Sequence, residues 1–188
     1  MRIVESLHGG QEMAGFARHA HAYDAVSRRL VSRLHRRAIM DAGVVSLPDD
    51  ALVVDIGTGS GRVPLELARV FPSLRVEGVD LSPEMIAYAQ RLAQQSGSRC
   101  TFQVADVARL PYDDASVDLV ISIASAHHWA DLSAGLREFQ RVLKPGSQAL
   151  IYDVRPIVRT AMASAHGLGM RTNAQPLRLG FARLIVRP

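Results

Sequence analysis

The strongest chemical signal in the chain is the run Asp55-Ile56-Gly57-Thr58-Gly59-Ser60-Gly61. Apolar Leu52-Val53-Val54 lead into a carboxylate and then into three alternate glycines, after which helical spacing begins. Glycine permits a positive φ and lets a ligand approach the backbone closely. In a parallel sheet such a loop lies at the carboxyl end of the first strand, where ligands bind at the switch point. A glycine loop alone is a weak signal. Asp80 strengthens it, because an acid ending the second strand is the usual partner of ribose hydroxyls. Asp106 ends the third strand-like run at the same edge. His127 and His128 follow the fourth, where an imidazole is suited to act as a general base on a substrate.

The dinucleotide fingerprint Gly-x-Gly-x-x-Gly is not met. Counted from Gly57, its third glycine position is Arg62, which argues against a nicotinamide-dependent oxidoreductase.

The elements that must position these residues are legible in the periodicity. Val26, Leu30, Leu34 and Ala38 recur every four residues and predict an amphipathic helix from about Tyr23 to Met40. From Asp50 onward strands alternate with helices. Strands are expected at Leu52–Ile56, Leu74–Val79, Cys100–Ala105, Val117–Ala124 and Gln148–Val154. Between them, Arg62–Phe71 has Val63, Leu67 and Val70 on one face. A second helix opens at Ser82-Pro83, with Met85, Ala89 and Leu92 inward, and stops at Gly97. A third spans about Leu132–Leu143 and ends at Lys144-Pro145-Gly146. This pattern predicts an α/β fold: a three-layer sandwich with a mostly parallel sheet covered on both faces. Beyond Pro156 a helix to about His166 and a last strand at Phe181–Val186 are expected. Asp118 reads as a local hydrogen-bond acceptor, and the lone Cys100 as a buried packing residue.

The Asp-x-Gly-x-Gly-x-Gly run resembles the first motif of Rossmann-like (class I) S-adenosylmethionine-dependent methyltransferases. The resemblance continues in order through Gly78-Val79-Asp80-Leu81-Ser82-Pro83-Glu84-Met85, Ala105-Asp106-Val107, and Leu110-Pro111-Tyr112 with Val117-Asp118-Leu119-Val120. It closes with His127-His128-Trp129 and Arg141-Val142-Leu143-Lys144-Pro145-Gly146. The tone is that of the small-molecule branch, similar to the ubiquinone/menaquinone-biosynthesis methyltransferases. The resemblance implies S-adenosylmethionine (AdoMet) as cofactor. Asp55 and the backbone of Gly57, Thr58, Gly59 and Gly61 would hold its methionine moiety, and Asp80 its ribose. Asp106 and Val107 would meet the adenine, with Leu81 and Met85 at its border. His127 and His128 are the candidate catalytic residues, while Tyr23 and Trp129 are the candidate substrate contacts. His-His-Trp also has a plainer reading, in which it shapes the loop and Trp129 packs over the following helix.

A single domain is expected: residues 1–45 as a helical cap, 50–155 as the AdoMet-binding core and 156–188 as a C-terminal helix with the last strand or strands. The C-terminal part looks abbreviated, with no room for a substrate lid and no evident hairpin between the last strands. The acceptor site is therefore open, covered by residues 1–40, or completed by a second subunit of a homo-oligomer.

Charge is unevenly distributed. Residues 1–40 carry seven arginines and three acids, residues 154–188 six arginines and no acid, and the centre is acidic. Basic ends attract anions, yet aromatics are few and no stacking platform for single strands is visible. The expected partner is a small-molecule acceptor, without nucleic acid, metal or membrane. No apolar run reaches the ~18 residues a membrane span requires, and no secretory signal is evident, so a cytoplasmic enzyme is expected. The alternative from another class is a non-catalytic AdoMet-binding or regulatory subunit.

Overall fold

The computed structural model describes residues 32–188. Its elements run α1 (Ser32–Val44), β1 (Leu52–Ile56), α2 (Arg62–Val70), β2 (Arg75–Asp80), α3 (Pro83–Ser96), β3 (Thr101–Val104) and β4 (Val117–Ile123). They continue as a 3₁₀ turn (Ala126–His128), α4 (Leu132–Val142), β5 (Leu143–Val154), α5 (Arg155–Gly167), β6 (Arg171–Pro176) and β7 (Phe181–Arg187).

The seven strands form one sheet in the order β3-β2-β1-β4-β5-β7-β6. The pairs from β3 to β5 are parallel, and β7 runs antiparallel to both β5 and β6. Strand order reverses between β1 and β4, so the carboxyl ends of these two central strands frame the switch point.

Every residue of β1 and of β4 is buried, because helices cover both faces. Val53, Leu119, Ile121, Leu150 and Tyr152 pack against α1, α2 and α3 through Leu34, Ala38, Leu67, Ile86 and Ala89. Val54, Ile56, Val120, Ala149 and Ile151 pack on the other face, against Leu136 and Phe139 of α4 and Val158, Ala161 and Ala165 of α5. The predicted N-terminal helix is present from Ser32 and continues past Met40 to Val44; its expected first part, with Val26 and Leu30, lies outside the described residues.

Local chemistry explains the boundaries. The hydroxyl of Ser82 accepts from the Met85 N–H at the start of α3, with Pro83 in its first turn, and Gly97 ends the helix at φ 63°. Asp131 caps α4 by accepting from the Ala134 N–H. Asp131→Ala should lower folding stability by ~1 kcal/mol in urea titrations, the usual cost of a lost N-cap.

Four expectations change. First, the C-terminal part is short but contains both last strands: β6 and β7 pair in a hairpin that turns at Leu179-Gly180, both at positive φ. The exposed, polar Arg171-Thr172-Asn173-Ala174-Gln175-Pro176 lacks the apolar alternation that would announce an edge strand. Second, β5 begins directly at Leu143, and Lys144-Pro145-Gly146 lies within it as an irregularity where the register with β4 slips between Val117 and Leu119. Third, Val70 is exposed, since it sits at the end of α2, and Pro64 is buried in the first turn beside Val63. Fourth, Asp118 is a long-range partner rather than a local one. It accepts from the Leu52 N–H of β1 at 2.9 Å and from the Lys144 ammonium of β5 at 2.8 Å. Cys100 is buried as expected.

Asp41 ties α1 to the sheet. Its carboxylate accepts from the Tyr152 hydroxyl at 2.7 Å, from Arg183 of β7 at 2.6 Å and from Arg37 at 2.9 Å. Burial opposes its charge, but these donors together hold its pKa below the usual value.

Candidate active site

The cleft lies over the carboxyl ends of β1, β2 and β4. It is lined by Gly57 and Gly59 from the glycine loop, Asp80, Leu81 and Met85 after β2, Asp106 and Val107 after β3, and His128 and Trp129 after β4. A wider groove at the opposite edge of the sheet has Arg69, Arg75 and Arg99 among its walls. It lies away from the switch point, so the first cleft is the functional candidate.

The glycine loop is pinned from below and from the side. The N–H groups of Gly57 and Thr58 both donate to the Val79 carbonyl at 2.9 Å, and the Gly59 N–H donates to Asp80 Oδ2 at 2.8 Å. All three loop glycines have positive φ. At Gly57 a Cβ would lie 1.8 Å from Ser125 Oγ, so the absence of a side chain allows the loop after β4 to close over β1. Gly61 is needed for packing instead, since a Cβ there would meet Ala89 and the Phe102 ring.

The carboxylates divide into two kinds. Asp80 is at the cleft and accepts from the Gly59 and Ser82 N–H groups. Burial raises its pKa, while those N–H groups and nearby His128 pull it down. Asp106 is exposed; its Oδ1 accepts from the Ala108 N–H at 2.9 Å. Asp55 lies behind the cleft wall, accepting from the Thr58 hydroxyl at 2.8 Å. Burial pushes the Asp55 carboxyl up to about 7; the Thr58 hydrogen bond opposes the shift and the charge of Asp80 adds to it.

The loop after β4 leaves the sheet at Ala124, a non-glycine residue at φ 50°. Such a conformation costs of order 1 kcal/mol and is commonest where function requires it. Trp129 packs over the following helix, as the plainer reading expected. Its ring packs edge-on to Phe139 and lies beside Gly135 of α4, its Nε1 donates to Ser125 Oγ at 3.1 Å, and it also borders the cleft. His128 faces the cleft, and burial first, then His127, lowers its pKa.

His127 is set behind His128, with ring centroids 4.0 Å apart, and its Nδ1 is 3.0 Å from Asp153 Oδ1. Asp153 is the residue that sequence reasoning missed. It lies near the end of a strand expected to be buried, and only a fully buried acid facing the histidine loop would have marked it. Tyr23, the other candidate substrate contact, lies outside the described residues. Among the described residues no group of three His, Cys, Asp or Glu side chains is placed to hold a metal.

A glycine loop at the switch point, with one acid ending β2 and another just after β3, belongs to a Rossmann-like α/β domain. Residues 54–151 match the family model described as a methyltransferase domain. The chain belongs to this methyltransferase family, whose methyl donor is AdoMet. It is 35% identical over 149 residues to a demethylmenaquinone methyltransferase of Deinococcus radiodurans, covering 78% of this chain and 60% of that protein. It is also 35% identical over 101 residues to ajmaline N-methyltransferase of Rauvolfia serpentina, covering 53% of this chain and 34% of that one. The chain thus spans less than two thirds of the length of these relatives. Among solved structures, an AdoMet-dependent methyltransferase from Aquifex aeolicus superposes with a TM-score of 0.76 at 18% identity, covering 90% of this chain and 97% of that one.

Proposed function

We propose that the protein transfers a methyl group from AdoMet to a small-molecule acceptor by in-line displacement. The observation that carries this reading is the cleft itself: Asp80 ends β2 and Asp106 follows β3, with Leu81, Met85 and Val107 beside them. That set of acceptors and apolar side chains fits an adenosine. Asp80 takes the ribose hydroxyls, an oxygen of Asp106 accepts from the adenine amino group, and the apolar side chains border the ring. Leu81 supports the fit, as a large apolar side chain left 54% exposed at the lip of a cleft. Gly57 and Gly59 are assigned to the methionine end, and Asp55 contributes negative potential from behind Thr58.

Bound AdoMet supplies an electrophilic methyl group. The residues of this chain orient it, exclude water and present the acceptor from the side of His128 and Trp129. The demethylmenaquinone and ajmaline enzymes named above act on small molecules, which supports a small-molecule acceptor here. The expected cap over the acceptor side, with Tyr23, falls on residues outside those described, and α1 itself packs on the sheet face through Leu34 and Ala38; residues 50–155 are assigned as the AdoMet-binding core and 156–188 as its C-terminal end. No helix among the described residues is long and apolar enough to cross a membrane. We assign the protein to the cytoplasm, acting on a small molecule rather than on nucleic acid.

Calorimetric titration with AdoMet and S-adenosylhomocysteine, followed by acceptor screening for release of the latter, tests the reading. Binding of NADH without AdoMet would overturn it.

The state of Asp55 makes binding pH-dependent. Between the unfolded pKa near 4 and about 7, the native protein holds a proton there that the unfolded chain has lost. Apo stability therefore falls as pH rises through this window, and above about 7 a buried negative charge remains. A cationic ligand offsets that charge. AdoMet should bind more tightly at pH 8 than at pH 6, and its stabilisation in thermal melts should grow in the same direction. Equal affinity at both values would detach Asp55 from the site.

A further inference from the structure

Arg141 opens the last of the sequence motifs and lies outside the cleft lining. Its guanidinium nevertheless uses all five of its N–H donors. Nε and Nη2 donate to the two oxygens of Glu138 at 2.8 and 2.7 Å, a bidentate pair. Nη2 also donates to the Leu110 carbonyl at 3.0 Å, and Nη1 donates to the Tyr112 carbonyl at 2.7 Å and to Asp114 Oδ1 at 2.8 Å. Glu138 in turn accepts from the Leu110 N–H at 2.7 Å, so one ion pair holds both main-chain polar groups of Leu110. The side chains of Arg141 and Glu138 are 33% and 16% exposed, which shields the pair from most of the solvent.

What the pair holds is the segment between β3 and β4. Residues 105–116 contain no helix or strand, only an isolated bridge between Asp106 and Arg109. This segment carries Asp106 and Val107, which line the cleft. Short links run back to them from the clamped residue. The Leu110 side chain is buried, the Arg109 N–H donates to the Asp106 carbonyl at 2.9 Å, and the Ala108 N–H donates to Asp106 Oδ1 at 2.9 Å. Val107 also meets α4 directly, since a Cβ on Gly135 would come within 3.0 Å of Val107 Cγ2. Gly135, Glu138 and Arg141 succeed one another at three-residue spacing. One side of α4 therefore meets the start of the segment at Gly135 and its middle at the ion pair. Further along, the Tyr112 hydroxyl donates to Glu77 at 3.1 Å, beyond the stretch that borders the cleft.

We propose that the Arg141–Glu138 pair positions the Asp106-Val107 edge of the cleft and thereby sets recognition of the adenine amino group. Both are positioning residues and touch no ligand. This rests on the methyltransferase reading above, which places the adenine at Asp106. A hydrogen bond weakens steeply with misalignment, and an exposed carboxylate on an irregular segment keeps its direction only while the main chain beneath it is fixed. A guanidinium does this because its planar fork holds several acceptors at once. An ammonium of the same charge has no such fork.

The test titrates the full chain, by calorimetry, with S-adenosylhomocysteine and with its purine analogue bearing hydrogen in place of the adenine amino group. The wild type should prefer the former by ~10-fold, as expected of one hydrogen bond to a charged acceptor. Arg141→Gln and Arg141→Lys should each cut that preference to ~2-fold or less, while the analogue binds about as well as to the wild type. A merely structural role would lower both affinities alike and leave their ratio unchanged. Asp106→Ala should also lose the preference, and adding Arg141→Gln to it should change the ratio no further.

Removing one partner leaves the other charge unpaired, which can unfold the protein. In that event the double variant Glu138→Leu with Arg141→Met, which leaves neither charge behind, carries the test with the same expected ratio. Independently of any variant, the Leu110 amide of the ligand-free wild type should exchange with solvent as slowly as the amides of α4. A preference retained in Arg141→Gln or in the double variant, a Leu110 amide that exchanges like unprotected chain, or a wild type that binds both ligands equally would each sink the proposal. The methyltransferase reading fails by a separate result, namely no binding of S-adenosylhomocysteine to the wild type.

Discussion

Asp80→Ala should weaken AdoMet binding by ~100-fold or more, the largest effect expected of any single carboxylate in the cleft. Two contributions add. The first is the charge-assisted hydrogen bond to the ribose, typically ~1.5–3 kcal/mol. The second is loop order: Asp80 Oδ2 holds the Gly59 N–H and Oδ1 holds the Ser82 N–H, so the substitution also frees the glycine loop and the start of α3. Asp80→Asn should lose less, because the amide oxygen can still accept. Asp106→Ala should lose less than Asp80→Ala, since an exocyclic amine is a neutral donor and Asp106 is exposed. Calorimetry on folded variants decides the matter, and equal affinity in wild type and Asp80→Ala would refute the ribose assignment.

Gly57→Ala should reduce AdoMet affinity by about 100-fold through a different route, since it removes no ligand contact. The new Cβ would fall 1.8 Å from Ser125 Oγ and 2.5 Å from its Cβ, at φ 71°. Side chains at that φ cost ~1–2 kcal/mol, and Ser125 must also move away. Ser125 Oγ accepts from Trp129 Nε1, so the displacement reaches the loop that closes the cleft. Together these terms make roughly 2–3 kcal/mol, the basis of the 100-fold figure. The mechanism predicts a suppressor. Ser125→Gly in the Gly57→Ala background removes the colliding atoms and should recover about 10-fold, a positive coupling in a double-mutant cycle. Absence of recovery would mean that the cost lies in backbone strain alone.

The two predictions also separate what each part of the molecule reveals in its sequence. The glycine run, Asp80, Asp106 and the strand–helix alternation were legible because each is local. A positive φ calls for glycine, a buried parallel strand reads as a continuous apolar run, and an acid at a strand end stands out against it. The order of motifs along 52–155 carried the family.

Contacts between distant segments were not legible. Gly57 and Gly61 look alike in the sequence, yet one makes room for Ser125 and the other for Ala89 and Phe102. Asp55 and Asp80 look equivalent as well, but register places one behind the loop and the other in the cleft. Asp118 finds its partners in β1 and β5, and Asp41 finds Arg183 on the last strand. The polar edge strand β6 takes its extended form from pairing with β7 rather than from its own apolar pattern.

The same division runs through the histidine loop. By itself, the sequence determined that two histidines follow the fourth strand beside the switch point. Only the tertiary structure decided which of them is held by an acid, because Asp153 lies 26 residues further on and reaches His127 through the parallel pairing of β4 with β5. Side-chain chemistry and short spacing are written in the chain. The choice among equivalent residues is made by register and burial, which exist only once the sheet has formed.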